Sequence, residues 1–307
     1  MHKKSSHIPV LYSESLDALT IRSDGVYIDG TLGGAGHAYG IAEQLSSQGT
    51  FIGCDVDYDA IMRAQEKLAP LPCKKYFVHN NFRNILEILN TLSVDQVDGI
   101  LLDLGWSSFQ IEDHERGLSF THDGPLDMNL GKGLSGDRLT AYEIINFWEE
   151  ETLADIFYGY GDETKARVIA RHLVQVRKDE PITTTHQLAN EIINALFPKK
   201  IASGKPLKFK IHPATKVFQA LRIAVNDEFG AITDALHAGI QCLSPQGRFA
   251  VITFHSGEDR IVKHIFKSYA DTNTIRLINK KPIVPSRTEI ISNVRSRSAK
   301  LRIVEKQ

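Results

Sequence analysis

With 307 residues, 42% of them hydrophobic and 24% charged, the chain carries enough apolar material for one large or two ordinary globular domains, which excludes an intrinsically disordered protein. A formal net charge of −1 excludes a uniformly basic protein, so affinity for nucleic acid has to come from local patches. Three scattered cysteines, Cys54, Cys73 and Cys242, make neither a disulfide framework nor a zinc ribbon; with no secretory leader and no membrane-length apolar run, the expectation is a cytoplasmic protein without membrane attachment.

The first elements alternate. "VYIDGT" (26–31), "TFIGCDVD" (50–57), "KKYFVHNNF" (74–82) and "VDGILLDLG" (97–105) are short β-rich apolar runs. Between them, "HAYGIAEQL", "YDAIMRAQEKL" and "RNILEILNTL" repeat apolar residues at three- and four-residue intervals. This rhythm predicts βαβ units and a parallel sheet. After Leu104 it stops. The next core strand, "RFAVITFHS" (248–256), follows the amphipathic run "VFQALRIAVNDEFGAITDALHAGIQCL" and the turn "SPQG". The gap exceeds 140 residues, far longer than the dozen or so that a crossover needs. Within it, "LTAYEIINFWEEETLADIFYGYG", "ETKARVIARHLVQVRKD" and "THQLANEIINALF" predict three helices. A helical subdomain is therefore expected over 108–215, inserted into a sheet domain made of 1–107 and 216–307. The chain closes with the helix "EDRIVKHIFKSYA" and two edge-strand candidates, "TIRLIN" and "AKLRIVEK".

The glycine-rich turn after the first strand lets backbone N–H groups and a helix N-terminus meet a ligand without Cβ interference. Gly33, Gly34, Ala35 and Gly36 fit neither the dinucleotide fingerprint nor a Walker A loop. Asp29 at the strand end suits a cation such as S-adenosylmethionine better than a pyrophosphate. Asp55 and Asp57 end the second strand, where an acid takes a ribose diol. Asn80 or Asn81 could meet an adenine edge and Phe82 its face.

At the fourth strand end, "LLDLGWSSFQ", Asp103 is placed to accept from an exocyclic amine whose lone pair is delocalised into a ring, and Trp106 could wall an unstacked base. The stretch loosely resembles the D-P-P-Y signature of amino-methyltransferases. In "FHSGEDRIVK" Ser256 can cap a helix with Glu258 or Asp259 in its first turn, and His255 is a secondary candidate for RNA contact or proton removal. No metal ligand set is expected.

Together, "HIPVLYSESLDAL", "YIDGTLGGAGH", "DGILLDLGWSSFQIEDHERGLSF", "DGPLDMNL", "HPATKVFQALRIAVNDE", "GRFAVITFHSGEDRIVK" and "RSRSAKLR" resemble the bacterial 16S ribosomal RNA cytosine-N4 methyltransferases. The resemblance implies a class I (Rossmann-like) α/β methyltransferase sheet with an inserted helical subdomain. It also implies S-adenosylmethionine as donor and a cytidine of the small ribosomal subunit as acceptor. By motif, the donor-binding positions are Gly34, Ala35, Gly36, His37, Asp55, Phe82, Asp103 and Gln110. Gly34, Ala35 and Gly36 stand where the family tends to have a bulkier residue and then two glycines, Trp106 where it more often has a small aliphatic residue, Phe109 where it often has proline and Gly257 where it usually has leucine.

"FPKKIASGKPLKFKIHPATK" (197–216) holds Lys199, Lys200, Lys205, Lys208 and Lys210 without one acid, and the C-terminal segment adds Arg295 and Arg297. Contact with 16S rRNA phosphates is the expected use of both. His212, Lys216 and Arg222 could line the substrate side or pack the join. Three readings stay open on the residues alone: an rRNA methyltransferase, an amino-methyltransferase acting on DNA or protein, and a non-catalytic RNA-binding protein that uses the donor as a ligand. A homodimer is compatible with each.

Overall fold

Each of the four alternating runs becomes a strand ending within three residues of its expected end, and the first three are each followed by a helix. The computed structural model describes residues 9–105, 110, 113–131, 138–199 and 208–307. In chain order they form α1 (Tyr12–Leu19), β1 (Val26–Asp29), α2 (Gly36–Glu43), β2 (Thr50–Asp55), α3 (Tyr58–Leu68), β3 (Lys74–His79), α4 (Ile85–Thr91) and β4 (Val97–Asp103). Then come α5 (Ala141–Phe147), α6 (Glu150–Gly159), α7 (Ala166–Val176), α8 (Thr185–Leu196), α9 (Thr215–Asn226) and α10 (Glu228–Cys242). The chain ends with β5 (Leu243–Thr253), α11 (Ser256–Asp271), β6 (Ile275–Leu277), α12 (Arg287–Ser292) and β7 (Lys300–Lys306).

The seven strands lie in one sheet in the order β3-β2-β1-β4-β5-β7-β6; β1 to β5 are parallel and β7 runs antiparallel to both neighbours. This mixed α/β sheet has the class I methyltransferase order. The expectation of two edge strands holds for β6 only, because β7 inserts between β5 and β6. Its four central residues, Leu301 to Val304, are all buried, and Arg302 and Lys300 bond Asp259 of α11 at 2.7 and 3.0 Å. Despite burial, which alone would raise it, these cations hold the Asp259 carboxyl below its ordinary range. The "SPQG" turn is not a boundary but a bulge inside β5. Val97 pairs with Leu243 and Gly99 with Arg248, so Ser244–Gly247 are looped out, with Gln246 at φ 66.

Alternation along the strands sorts the core onto two faces. Tyr27, Phe51, Leu101, Ala250 and Ile252 pack with α1, α2 and α3, while Ile28, Ile52, Ile100, Leu102, Phe249 and Val251 pack with α4, α10 and α11. The chain divides into two compact units. The first holds the described residues of 9–105 and 229–307 together with Gly131; the second holds those of 110–130 and 138–228.

The second unit is built from α5 to α9 around Ile144, Leu153, Phe157, Ile169, Leu173, Leu188 and Leu221. Two expected helices are each two. The run from Leu139 to Gly161 breaks at Trp148 and Glu149, both extended, after a capping box between Thr140 and Glu143 starts α5. The amphipathic run from Val217 breaks at Asp227, which sits at φ 46. There Asn226 donates to the Met128 carbonyl and accepts from the Leu130 amide, both at 2.8–2.9 Å, so a loop contact ends α9. Val217, Phe218 and Leu221 of α9 belong to this unit's core, which therefore extends beyond residue 215.

Gly117 tests that core. It has φ 61, and a Cβ there would overlap the Pro125 carbonyl oxygen. Gly117→Ala is expected to destabilise the second unit by about 3 kcal/mol or more, since backbone strain and a backbone clash combine. Limited proteolysis should then cut between 113 and 228 first; an unchanged cleavage pattern and melting temperature would contradict the assignment.

Candidate functional site

At the carboxyl ends of β1 and β4 two aspartates face the same side of the sheet, because Tyr27 and Asp29 on one strand and Leu101 and Asp103 on the other share parity. Asp29 is 1% exposed and the Asp103 side chain 19%. Thr31 ties the two ends together: its N–H and hydroxyl donate to Asp29 Oδ1 at 3.0 and 3.4 Å, and its Oγ1 accepts the Asp103 N–H at 2.7 Å. Asp29 Oδ2 and Asp103 Oδ1 are buried with no hydrogen-bond partner. Burial pushes Asp29 up to about 7 against the Thr31 bonds, with Asp55 adding to the shift. Asp103 also reaches about 7 through burial and then the Asp29 charge; the Gly105 amide and Arg295 oppose this and Glu258 reinforces it.

The glycine turn is held from below. Asp55 accepts the Gly33 amide at 2.9 Å through one oxygen and the Asp57 amide at 2.9 Å through the other. Its carboxyl is raised to about 6 by burial, against those two bonds. Arg63 Nε donates to the Gly33 carbonyl at 3.3 Å. Gly33 and Ala35 both have positive φ, 46 and 53, and a Cβ on Gly36 would overlap the Pro9 ring. The turn thus packs so tightly that Gly36 admits no side chain, and Ala35 accepts the left-handed conformation that glycine adopts without cost. Gly34 lies between them, its carbonyl 3.5 Å from Lys67 Nζ.

His37, in the first turn of α2, is 6% exposed; its Nε2 meets the Val10 carbonyl at 3.1 Å and its Nδ1 lies 3.7 Å from Asp103 Oδ2. A carbonyl only accepts, so Nε2 carries a hydrogen in this contact. Phe82 opens the 3-10 turn 82–84, half-buried, with its Cβ beside Gly30. Asn80 and Asn81 are engaged locally: Asn81 accepts from the Arg83 amide, and Asn80 from the Asn81 amide and the Asn84 side chain.

The structure thus brings Gly34, Ala35, Gly36, His37, Asp55, Phe82 and Asp103 together in the first unit, at one end of the parallel strands. Gln110 is buried within the second unit. Trp106 and Phe109 lie outside the described residues, as do Lys200 and Lys205. Lys199, Lys208 and Lys210 are exposed on the second unit. Arg295 and Arg297 are exposed on the 3-10 turn Val294–Ser298 of the first unit.

His255, not Ser256, caps α11. Its Nδ1 accepts the Glu258 amide at 3.4 Å, and Glu258 Oε2 accepts the amides of Phe254 and His255 at 2.7 and 3.2 Å. His212 stacks on Phe120 at 4.3 Å, Lys216 donates to the Asp162 carbonyl, and Arg222 forms a bidentate pair with Glu228 at 2.7 and 2.9 Å. All three engage their own unit. Sequence reasoning missed Thr31, whose place two residues after a strand-end aspartate is the pattern of a local side-chain turn.

Residues 4–307 match the model described as the MraW methylase family. A curated relative, ribosomal RNA small subunit methyltransferase H of Paenibacillus sp. (strain JDR-2), is 46% identical over 321 residues, covering 98% of this chain and 99% of that protein. Among solved structures, an rRNA methylase from Streptococcus thermophilus aligns with TM-score 0.44 at 10% identity, over 100% of this chain and 98% of that one. SMU.1697c from Streptococcus mutans, in complex with SAH, aligns with TM-score 0.45 at 11% identity, over 98% and 99%.

Asp29 carries a stability signature. Its folded pKa of about 7 lies above the unfolded value, so its contribution to the folded state is fully present below about pH 4 and is lost as pH rises through 7. Asp29→Asn should therefore stabilise the ligand-free protein at pH 8 by up to about 4 kcal/mol, the free energy that separates a carboxyl titrating near 7 from one titrating near 4, with the gain vanishing near pH 4. Thermal melts at the two pH values check this, and a variant less stable than wild type at pH 8 would sink it.

Proposed function

The chain belongs to the MraW methylase family, and from that premise we propose that it moves a methyl group from S-adenosylmethionine to the exocyclic N4 of a cytidine in 16S rRNA of the small ribosomal subunit, in the cytoplasm. The coarser statement holds without the proposal: this is an S-adenosylmethionine-dependent rRNA methyltransferase of class I fold.

One observation carries the donor half of this reading. Two buried carboxylate oxygens, Asp29 Oδ2 and Asp103 Oδ1, await partners at neighbouring strand ends beside a glycine turn. Such oxygens are costly without a donor or a cation, and a ligand bearing an ammonium and a sulfonium meets that need. The residues present fit the donor: the turn 33–36 gives it backbone approach, Asp29 and Asp55 supply negative charge, and Phe82 offers a ring face. When bound, it supplies an electrophilic methyl group.

Asp103 does the acceptor chemistry. The cytosine amine is a weak nucleophile because its lone pair is shared with the ring, and a carboxylate accepting one of its N–H bonds restores density on nitrogen. As the new N–C bond forms, that N–H proton becomes acidic, and Asp103 takes it. A carboxyl poised near 7 does this at neutral pH without holding the proton afterwards. Lys199, Lys200, Lys205, Lys208 and Lys210 of the helical insert and Arg295 and Arg297 are the proposed phosphate contacts, which makes the insert the substrate-recognition domain.

Asp103→Asn should bind the donor yet lose at least about a hundredfold in methyl transfer, the scale of a removed general base. The assay is methyl incorporation into small subunits from cells lacking the enzyme, followed by nucleoside analysis for N4-methylcytidine. Incorporation into naked DNA or protein instead, or a D103N variant with wild-type turnover, would overturn the assignment. Donor affinity should weaken as pH falls from 8 to 5, because Asp29 near 7 and Asp55 near 6 lose the negative charge that favours a cation. Calorimetry across that range tests the sign.

A further inference from the structure

We propose that Phe254 is the aromatic wall against which the target cytosine stacks, held in place by the buried Glu258 carboxylate. The inference rests on the reading of Asp103 as the group that meets the acceptor amine.

Strand parity is the first support. On β5, Ala250 and Ile252 share a face of the sheet with Leu101 of β4, and Phe254 packs against the same cluster. That is the face on which Asp29 and Asp103 lie. Because Asp103 pairs with Ile252 in the parallel register, Phe254 falls one pleat past the carboxylate on the adjoining strand end. The ring is half-buried, so part of it is packed and part is open to solvent.

The second support is the contact with Gly105. A Cβ on Gly105 would come within 2.5 Å of Phe254 Cε2 and 2.8 Å of Cζ. The ring therefore rests on the backbone two residues beyond Asp103, with no side chain between them, and sits on the opposite side of Asp103 from Asp29. A base whose exocyclic amine meets Asp103 lies on that side or has to cross the donor.

The third support is rigidity. Glu258, 1% exposed, accepts both the Phe254 and His255 amides, so the turn out of β5 is clamped at the residue that carries the ring. A wall that is fixed before binding loses no conformational freedom when a base stacks on it. Glu258 is then a positioning residue, acting through Phe254.

The experiment compares Phe254→Leu and Phe254→Tyr with wild type on small subunits from cells lacking the enzyme, with donor binding measured separately by calorimetry. Phe254→Leu keeps apolar bulk but loses the ring face. Its kcat/KM should fall about tenfold or more, the scale of one lost base–aromatic stack, while Phe254→Tyr stays within about threefold of wild type and donor affinity is unchanged in both. Wild-type kcat/KM in Phe254→Leu would overturn the proposal, and so would equal loss in both variants accompanied by weaker donor binding, which would make the ring a donor support. Should Phe254→Leu melt early, Phe254→Trp gives a second reading: its emission, less that of wild type, should be quenched when small subunits are added, and an unquenched signal counts against stacking. Asp103→Asn run alongside separates the two claims. If it abolishes transfer while Phe254→Leu does not, the wall is misassigned and the acceptor role of Asp103 stands.

Discussion

The structure turns on placing two carboxylates side by side at the ends of β1 and β4 with too few hydrogen bonds to satisfy them. Thr31 supplies part of what Asp29 needs and orders the Asp103 backbone, yet one oxygen of each acid remains unpartnered. Buried like charges at neighbouring positions destabilise the ligand-free fold, and both acids answer by titrating near neutrality. The other features of this end of the sheet are arranged around that strain. Asp55 spends both oxygens on the glycine turn and the start of α3, and so fixes the approach to Asp29. His37 is pinned by the Val10 carbonyl beside Asp103. A site that is unfavourable when empty favours whatever cation completes it, because relief of the strain adds to the binding free energy.

Much of this was legible in the chain itself. The short apolar runs and the helical intervals between them give β1 to β4 and their helices, since strand ends here coincide with Asp29, Asp55 and Asp103, polar residues that interrupt a buried strand. The placement of these acids at one end then follows from parallel pairing. Boundaries failed where a long-range contact outweighed local preference. The looped-out Ser244–Gly247 was read as a turn because its composition is that of one, and only the pairing of Val97 with Leu243 shows that the strand starts before it. Asp227 breaks a continuous amphipathic pattern through the Asn226 contacts to Met128 and Leu130, residues almost a hundred positions away. The N-terminal α1 and the six-residue α12 were not anticipated; they are short, and each has a single acid in its first turn.

Within the site, residue type was a better guide than residue role. Glu258 was expected as a favourable charge in a helix first turn, and it is there, but its carboxylate also accepts two amides of the preceding turn. Ser256 was the expected cap on composition, whereas the ring nitrogen of His255 performs that function because the capping position falls one residue earlier. Single-residue shifts of this kind cannot be read from propensity, since every candidate in "FHSGED" can serve a helix start. The consequence reaches the chemistry, because the position before the cap is the one left to project from the strand end, and that position holds Phe254.

The same shift bears on which group takes the proton. His255 Nδ1 accepts the Glu258 amide, so in the neutral ring Nε2 carries the hydrogen, and it lies 3.1 Å from Glu258 Oε1. Neither nitrogen then presents a lone pair to a substrate, and a base that first had to release a helix cap would act at the expense of α11. Asp29 is nearly inaccessible and already accepts from Thr31. Asp103 combines partial exposure, an unpartnered oxygen and a pKa near neutrality. The asymmetry between the two aspartates is therefore one of access: Asp29 is enclosed and held by Thr31, whereas Asp103 keeps partial exposure and an unpartnered oxygen.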